Sequence, residues 1–388
     1  MIPERSVIEQ AYAFFHQKLK VYEHSTSEKE MDHIEDVIAS YVDGMSPSLY
    51  EALAEGKASF LHEHGCFREE LSEAVRKMES WLEQGDETPD KDNRYVVGLG
   101  EILWDKLSKY GKPVRRGRKL GGAPANFAYH VSQFGHNGLV VSAIGYDREG
   151  NDIVTELAKH NLCCHLERVP YPTGTVDADI TDPNSPVYTI RTYVAWNHIA
   201  VTDDIRRIAS GTKAVCFGTL AQWGRESRNS IRVFLDHCPE DCLKICDINL
   251  RQRFFTKATI KESLHRADIL KLNERELSMI TGLLGYKMAG EETLCRRLMG
   301  LYDLKMIILT KGIDGSWILW KDGKSFQGTP RVKVKSAVGA GDSFTGAFVG
   351  CLLNGDSIKE AHRKAVEVSA YVCTKEGAMP EIPESYRG

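Results

Sequence analysis

The sequence predicts an α/β fold, a parallel sheet covered by helices on both faces, preceded by an all-α segment. Three observations carry this. From Tyr95 onward, short apolar runs ("YVVGLGEILW", "LVVSAIG", "AVCFGTL", "LKICDINL", "DILKLN", "MIILTKG") alternate with segments of helical periodicity such as "EGNDIVTELAKH" and "SRNSIRVFLDH". Continuous apolar strands separated by helices are what a parallel sheet buried on both faces requires. The first ninety residues read instead as helices. The charge divides in the same place: residues 1–93 carry 21 acids and 9 bases (net −12), residues 94–388 carry 33 and 41 (net +8), and the two sum to −4.

The helical segment is justified by its caps and stripes. "SVIE" (Ser6–Glu9) and "SEKE" (Ser27–Glu30) fit the capping box, and Met31, Ile34, Val37, Ile38, Tyr41 and Val42 follow the second at helical spacing. Ser46 and Pro47 read as N-cap and first residue of a short helix that Gly56 ends. Leu71, Ala74, Val75, Met78, Trp81 and Leu82 form another apolar stripe, and "EQGDETPDKDN" (residues 83–93) reads as a linker. His16, His24, His33, His62 and His64 share no metal-ligand spacing, so no catalytic constellation is expected here. The acidic surface suits docking on the more basic body or on a partner.

Composition excludes several classes. A net charge of −4 gives no general affinity for nucleic acid or anionic membrane. No apolar run is long enough for a membrane span, and the N-terminus lacks a basic region followed by an apolar one, so a cytoplasmic protein is expected. The ten cysteines lie mostly in apolar runs and read as buried reduced thiols.

In the body, ligands are expected where strands end, because open α/β sheets bind at the C-terminal edge. Asp105 closes "GEILWD". In "KLGGAPANFAYHVSQFG", Gly121 and Gly122 permit close backbone approach, and Asn126 brings a two-sided hydrogen-bonding group to a helix start, although a tight strand–helix connection would look the same. "DINLR" sets Asp247, Asn249 and Arg251 on alternate residues; they form either a phosphate and metal neighbourhood or a surface ion pair. Asn273 and Glu276 stand three apart at a helix start, and Thr310, Gly312 and Gly315 occupy a glycine-bearing turn. In "KVKSAVGAGDSFTGAFVG", Gly339, Ala340 and Gly341 open a helix and so present bare N–H groups to an anion. Asp342 beside them is either a helix cap or a general base.

Together these residues resemble the ribokinase/PfkB carbohydrate kinase family. "GGAPANFAYHVSQFGHNGLVVSAIG" (121–145) is similar to its first signature and "GAGDSFTGAF" (339–348) to most of its second, in the family's motif order. The resemblance spans roughly residues 95–385, looks most like bacterial fructokinases, and leaves the first 93 residues without a counterpart. It implies a doubly wound, mostly parallel sheet with a small β lid near residues 173–196. It implies ATP and Mg²⁺, with Asp342 as base, Gly339, Ala340 and Gly341 as anion hole, and Arg251 at the phosphates. Asp105, Gly121, Gly122 and Asn126 would hold the sugar, and Asn249, Thr310, Gly312 and Gly315 the nucleotide. Asn273 and Glu276 would position the metal through water. Fructose is the implied substrate; ribose, a nucleoside, 2-keto-3-deoxygluconate, a sugar phosphate, or a regulatory role without turnover are the alternatives. Lid strands in this family often pair between subunits, so the resemblance leaves room for a homodimer through the lid without fixing the oligomeric state. Ser336 and Ala337 replace the family's usual Asp-Thr, which puts a monovalent cation (K⁺) in doubt.

Overall fold

Four helices come first in the computed structural model, which describes residues 5–62, 64–83, 94–110, 112–179, 181 and 187–387. They are α1 (Arg5–His24), α2 (Glu28–Asp43), α3 (Pro47–Ala54) and α4 (Phe67–Glu83). Their apolar stripes meet: Phe15, Ile34, Ile38, Leu49, Leu71 and Met78 are buried in one cluster. Ser46 caps α3 as expected, its hydroxyl accepting from the Leu49 N–H at 3.4 Å. The other two caps differ from expectation. α1 already begins at Arg5, so Ser6 lies inside it, and Ser27 precedes α2 without a side-chain cap bond. Residues 84–93 of the expected linker lie outside the described residues. His64, although no spacing pointed to it, closes on Glu35, which also accepts from the Tyr22 hydroxyl at 2.6 Å.

The body then alternates as the sequence predicts. Its strands and helices are β1 (Tyr95–Leu99), β2 (Leu103–Lys109), β3 (Lys112–Gly121), α5 (Ala123–Ser132), β4 (Asn137–Gly145), α6 (Arg148–Lys159), β5 (Cys163–Val169), β6 (Gly174–Asp179), β7 (Val187–Ile190), α7 (Asp203–Ser210), β8 (Thr212–Phe217), α8 (Arg225–His237), β9 (Leu243–Asp247), α9 (Lys257–Arg266), β10 (Ile269–Asn273), α10 (Glu274–Leu284), α11 (Glu291–Tyr302), β11 (Met306–Thr310), β12 (Ser316–Trp320), β13 (Gly323–Gln327), α12 (Ala340–Leu353) and α13 (Ile358–Cys373). Nine strands form one sheet in the order β13-β12-β11-β10-β9-β8-β1-β4-β5. Its pairs from β11 to β5 are parallel, and the β12–β13 edge is antiparallel. One face packs apolar residues of α7–α11; the other carries those of α5, α12 and α13. The ten cysteines are free thiols.

The second sheet, β3-β2-β6-β7, corrects two expectations. The lid strands predicted at 173–182 and 187–196 shorten to β6 and β7, and residues 180 and 182–186 lie outside the described residues. β2 and β3 complete the lid. The "YVVGLGEILW" run is therefore two strands, because Gly100 at φ +149° breaks it. Asp105 accordingly sits inside a lid strand rather than at the end of a core strand.

The leading helices also touch the body. α1 lies against β5, an edge strand: the Gln17 amide donates to the Leu166 carbonyl at 3.2 Å, and the Cys164 thiol donates to Gln17 Oε1 at 3.6 Å. Covering an edge removes a template for unwanted pairing. Lys18 is buried at this contact, 2% exposed. Burial, helped by Arg168 and opposed by Cys164 and Asp152, pulls its ammonium down to about 7. From pH 7 to about 10 the unfolded chain then binds a proton that the folded chain does not. Stability should therefore rise with pH in that window, with the full penalty present at pH 7. Lys18→Met is expected to gain about 1–3 kcal/mol at pH 7 and to flatten this rise, read by urea melts at pH 7 and 9. An unchanged or lower midpoint would contradict it.

Candidate active site

The glycine-rich turn before α12 begins at Gly339, whose φ of +80° is the left-handed conformation glycine adopts without strain. Space forbids a side chain there as well: a Cβ would lie 2.6 Å from that of Ala378. Gly341 is small for a different reason, because its Cβ would lie 2.8 Å from Lys271 Nζ. The N-terminal end of α12 thus points its first amides toward the C-terminal edge of the large sheet, an arrangement that favours an anion. The Ala340 N–H also makes a long bond, 3.3 Å, to the Ala337 carbonyl.

Asp342 stands in the first turn of α12. Its Oδ2 accepts from Asn126 Nδ2 at 2.6 Å, joining two motifs 216 residues apart. Burial and the nearby Asp247 raise its carboxyl above the ordinary range, against Lys271, the Asn126 bond and Arg251. Asn126 sits in the first turn of α5, after Gly122 at φ +116°, where a Cβ would lie 2.5 Å from the Glu101 carbonyl oxygen. Asp105 leans over Gly121, whose Cβ would come within 2.5 Å of Asp105 Oδ2. Burial pushes Asp105 up to about 6, opposed by Arg251.

A cavity between these turns is lined by Glu101, Asp247, Asn249 and Asp342. Of the buried oxygens without a hydrogen-bond partner among the described residues, three belong to residues of this cleft or bonded to it: Glu101 Oε2, Asp247 Oδ1 and Oδ1 of Asn126, whose amide nitrogen holds Asp342. Buried polar atoms are almost always satisfied, so three orphans around one cleft point to ligand atoms. Glu101 was not singled out by sequence, though it follows β1 as a polar residue follows a strand at such an edge. Burial raises it to about 7.

The "DINLR" prediction holds only in part. β9 ends at Asp247, and Asn249 and Gln252 have positive φ, +41° and +46°. The alternate-residue geometry therefore stops at Asp247. Asn249 still lines the same cavity, while Arg251 is exposed and close enough for its charge to act on Asp105 and Asp342. Asn273 and Glu276 form a capping box for α10: the Glu276 N–H donates to Asn273 Oδ1 at 2.9 Å and the Asn273 N–H to Glu276 Oε2 at 2.8 Å. Glu276 Oε1 accepts from the Leu250 N–H at 2.9 Å, so this pair also holds the loop bearing Asn249 and Arg251. Asp247 and Glu276 supply the hard oxygen donors that suit magnesium, and Asp247 Oδ1 is an orphan, so the residues present fit that ion.

Thr310 closes β11 next to Asn273 of β10, and Gly312 and Gly315 follow with φ +56° and +115°. Lys311 turns away to pair with Glu291 at 2.9 Å. Arg118 pairs with Asp152 at 2.6 Å and stacks on Trp104, 3.8 Å from the ring centre.

Sequence comparison matches residues 95–385 to the pfkB family of carbohydrate kinases. Among curated proteins, the chain is 27% identical over 307 residues to the ATP-dependent 6-phosphofructokinase of Thermoanaerobacterium thermosaccharolyticum, covering 76% of this chain and 92% of that protein. It is 24% identical over 275 residues to the 5-dehydro-2-deoxygluconokinase of Bacillus thuringiensis, covering 68% and 82%. The fold matches that of the ATP-bound fructokinase of Xylella fastidiosa with a TM-score of 0.66 at 19% identity, covering 75% of this chain and 95% of that one. It also matches a Vibrio cholerae fructokinase holding fructose, ADP and calcium, with a TM-score of 0.63 at 22% identity, covering 76% and 97%. Family match, sheet order, lid and motif-bearing turns agree: the chain belongs to the pfkB family of carbohydrate kinases and is a phosphotransferase acting on a sugar.

Proposed function

We propose that the protein transfers the γ-phosphoryl group of ATP to a hydroxyl of fructose. The observation that carries this reading is the 2.6 Å bond from Asn126 to Asp342, which sets a carboxylate beside the anion-attracting start of α12. Phosphoryl transfer needs alignment and charge neutralisation more than covalent chemistry by the protein. In this reading Asp105, Asn126 and the Gly121–Gly122 turn hold the sugar under the lid. Asp342 takes the proton from the attacking hydroxyl, and the amides of Gly339, Ala340 and Gly341 receive the phosphoryl oxygens. Asn249, Arg251, Thr310, Gly312 and Gly315 bind the nucleotide. Magnesium, when bound, neutralises phosphate charge; Asn273 and Glu276 would position it through water, since their side chains already cap α10. We assign residues 94–388 to the kinase domain and residues 1–93 to a helical addition.

A sugar phosphate is the second reading. Lys119 is the cross-strand partner of Asp105, so the two share a lid face, and one relative is named a 6-phosphofructokinase. ADP release measured over sugars, sugar phosphates and nucleosides separates the readings. Turnover of fructose above all others supports the first, preference for a sugar phosphate supports the second, and ATP binding without any turnover contradicts both.

Ser336 and Ala337 bear on the monovalent cation. Ser336 Oγ accepts the Val338 N–H at 3.2 Å, and a neutral hydroxyl is a weak ligand for potassium compared with a carboxylate. Little or no potassium activation is expected. A several-fold rate increase over a tetramethylammonium control would contradict this.

A further inference from the structure

We propose that Lys271 is a catalytic residue whose ammonium meets the transferring phosphoryl group from beneath the anion hole. The inference rests on the kinase reading above. Lys271 belongs to β10, an interior strand of the large sheet, and it is 9% exposed. Its neighbours Ile269, Leu270 and Leu272 are all buried apolar side chains. A charge on the buried surface of a central strand is costly unless paired, and a well-packed apolar residue in its place would often be no less stable. Its Nζ does pair with Asp247 Oδ2 at 2.8 Å, and those two residues are direct cross-strand partners. Pairing alone does not explain where the ammonium ends. It fills the space that a Cβ at Gly341 would take, 2.8 Å away, against the turn that opens α12. Asp247 keeps its other oxygen, Oδ1, without a partner in the same cleft, so the pair is built toward the cavity rather than closed on itself.

The chemistry needs such a cation. As the sugar oxygen bonds to the γ-phosphorus, the bond from that phosphorus to the β–γ bridging oxygen breaks. ADP leaves with the electron pair, and the hydroxyl proton passes to Asp342. Negative charge gathers on the γ-oxygens in a cleft already holding Glu101, Asp247 and Asp342. A fixed ammonium placed there in advance stabilises that charge without reorganisation.

A double-mutant cycle tests the assignment. Lys271→Met alone strands Asp247, so it is compared in the Asp247→Asn background. If Lys271 serves only as a partner for Asp247, Asp247→Asn/Lys271→Met will match Asp247→Asn in kcat, and the proposal falls. The expected result is a kcat about 10²–10³-fold below Asp247→Asn, the usual effect of losing one such group, with ADP affinity within a few-fold. Lys271→Gln, which keeps a donor toward Asp247 without the charge, should show the same loss if the double variant misfolds. A second readout does not require turnover. Aluminium fluoride, which mimics the transferring phosphoryl group, should tighten ADP binding in the wild type and not in Lys271→Gln. Equal tightening in both overturns the proposal, even if no sugar is found to be phosphorylated and the kinase reading itself fails.

Discussion

Asp342→Asn is expected to lower kcat about 10²–10⁴-fold, the range associated with a general base, with substrate binding little changed. The amide keeps the size of the carboxylate and its place in the first turn of α12, so the melting temperature should move little. The Asn126 bond also survives in outline, since Asn126 Nδ2 can still donate to an amide oxygen. Only proton acceptance is lost. The wild-type pH profile should carry the same signature. The Asp342 carboxyl is raised by burial and by Asp247, against Lys271, Asn126 and Arg251. A base must be ionised to act, so kcat should fall as the pH drops through this raised value, earlier than an ordinary aspartate would dictate. Steady-state kinetics of both proteins check this; near-normal turnover by Asp342→Asn would return the residue to a capping role.

Removal of residues 1–93 is expected to lower the melting temperature by about 10 °C or more, or to leave a protein that aggregates. At about 2–4 °C per kcal/mol for domains of 150–250 residues, such a fall corresponds to several kcal/mol. The cut would uncover β5, an edge strand, together with Cys164 and Leu166, which are otherwise buried. It would also remove the Gln17 bond to the Leu166 carbonyl. Unpaired strand edges with apolar side chains invite association. Calorimetry and size-exclusion chromatography of the shortened protein read both effects. A monodisperse protein melting within 2 °C of the full chain would show that the helices lend the body nothing.

The parallel sheet was legible because its strands are short continuous apolar runs between helices, a pattern that few other folds produce. The turn chemistry was legible too: Gly339 and Gly122 both have the positive φ that glycine alone adopts freely. The lid was legible only in part. β2 follows β1 after a three-residue break, and periodicity could not divide an apolar run at Gly100. Lys271 was passed over for another reason. In sequence it is a single charge inside "DILKLN", indistinguishable from a lysine at a strand end. Only the register pairing it with Asp247, and the approach of Gly341 from a helix 70 residues away, give it a place in the site. The helix α10 start shows the converse. Asn273 and Glu276 were visible as a pair, but the reciprocal backbone bonds that make them a cap, and the hold on Leu250, required three dimensions.

The central claim is that the two glycine-rich turns bring a hydroxyl and a phosphoryl group together at Asp342. Its most direct test is the mass spectrum of fructose after incubation with the protein, ATP and Mg²⁺. A phosphorylated sugar that forms in step with ADP, and that is absent with Asp342→Asn, is the predicted result. ADP release without any phosphorylated sugar, or sugar phosphorylation that persists at full rate in Asp342→Asn, would contradict the account.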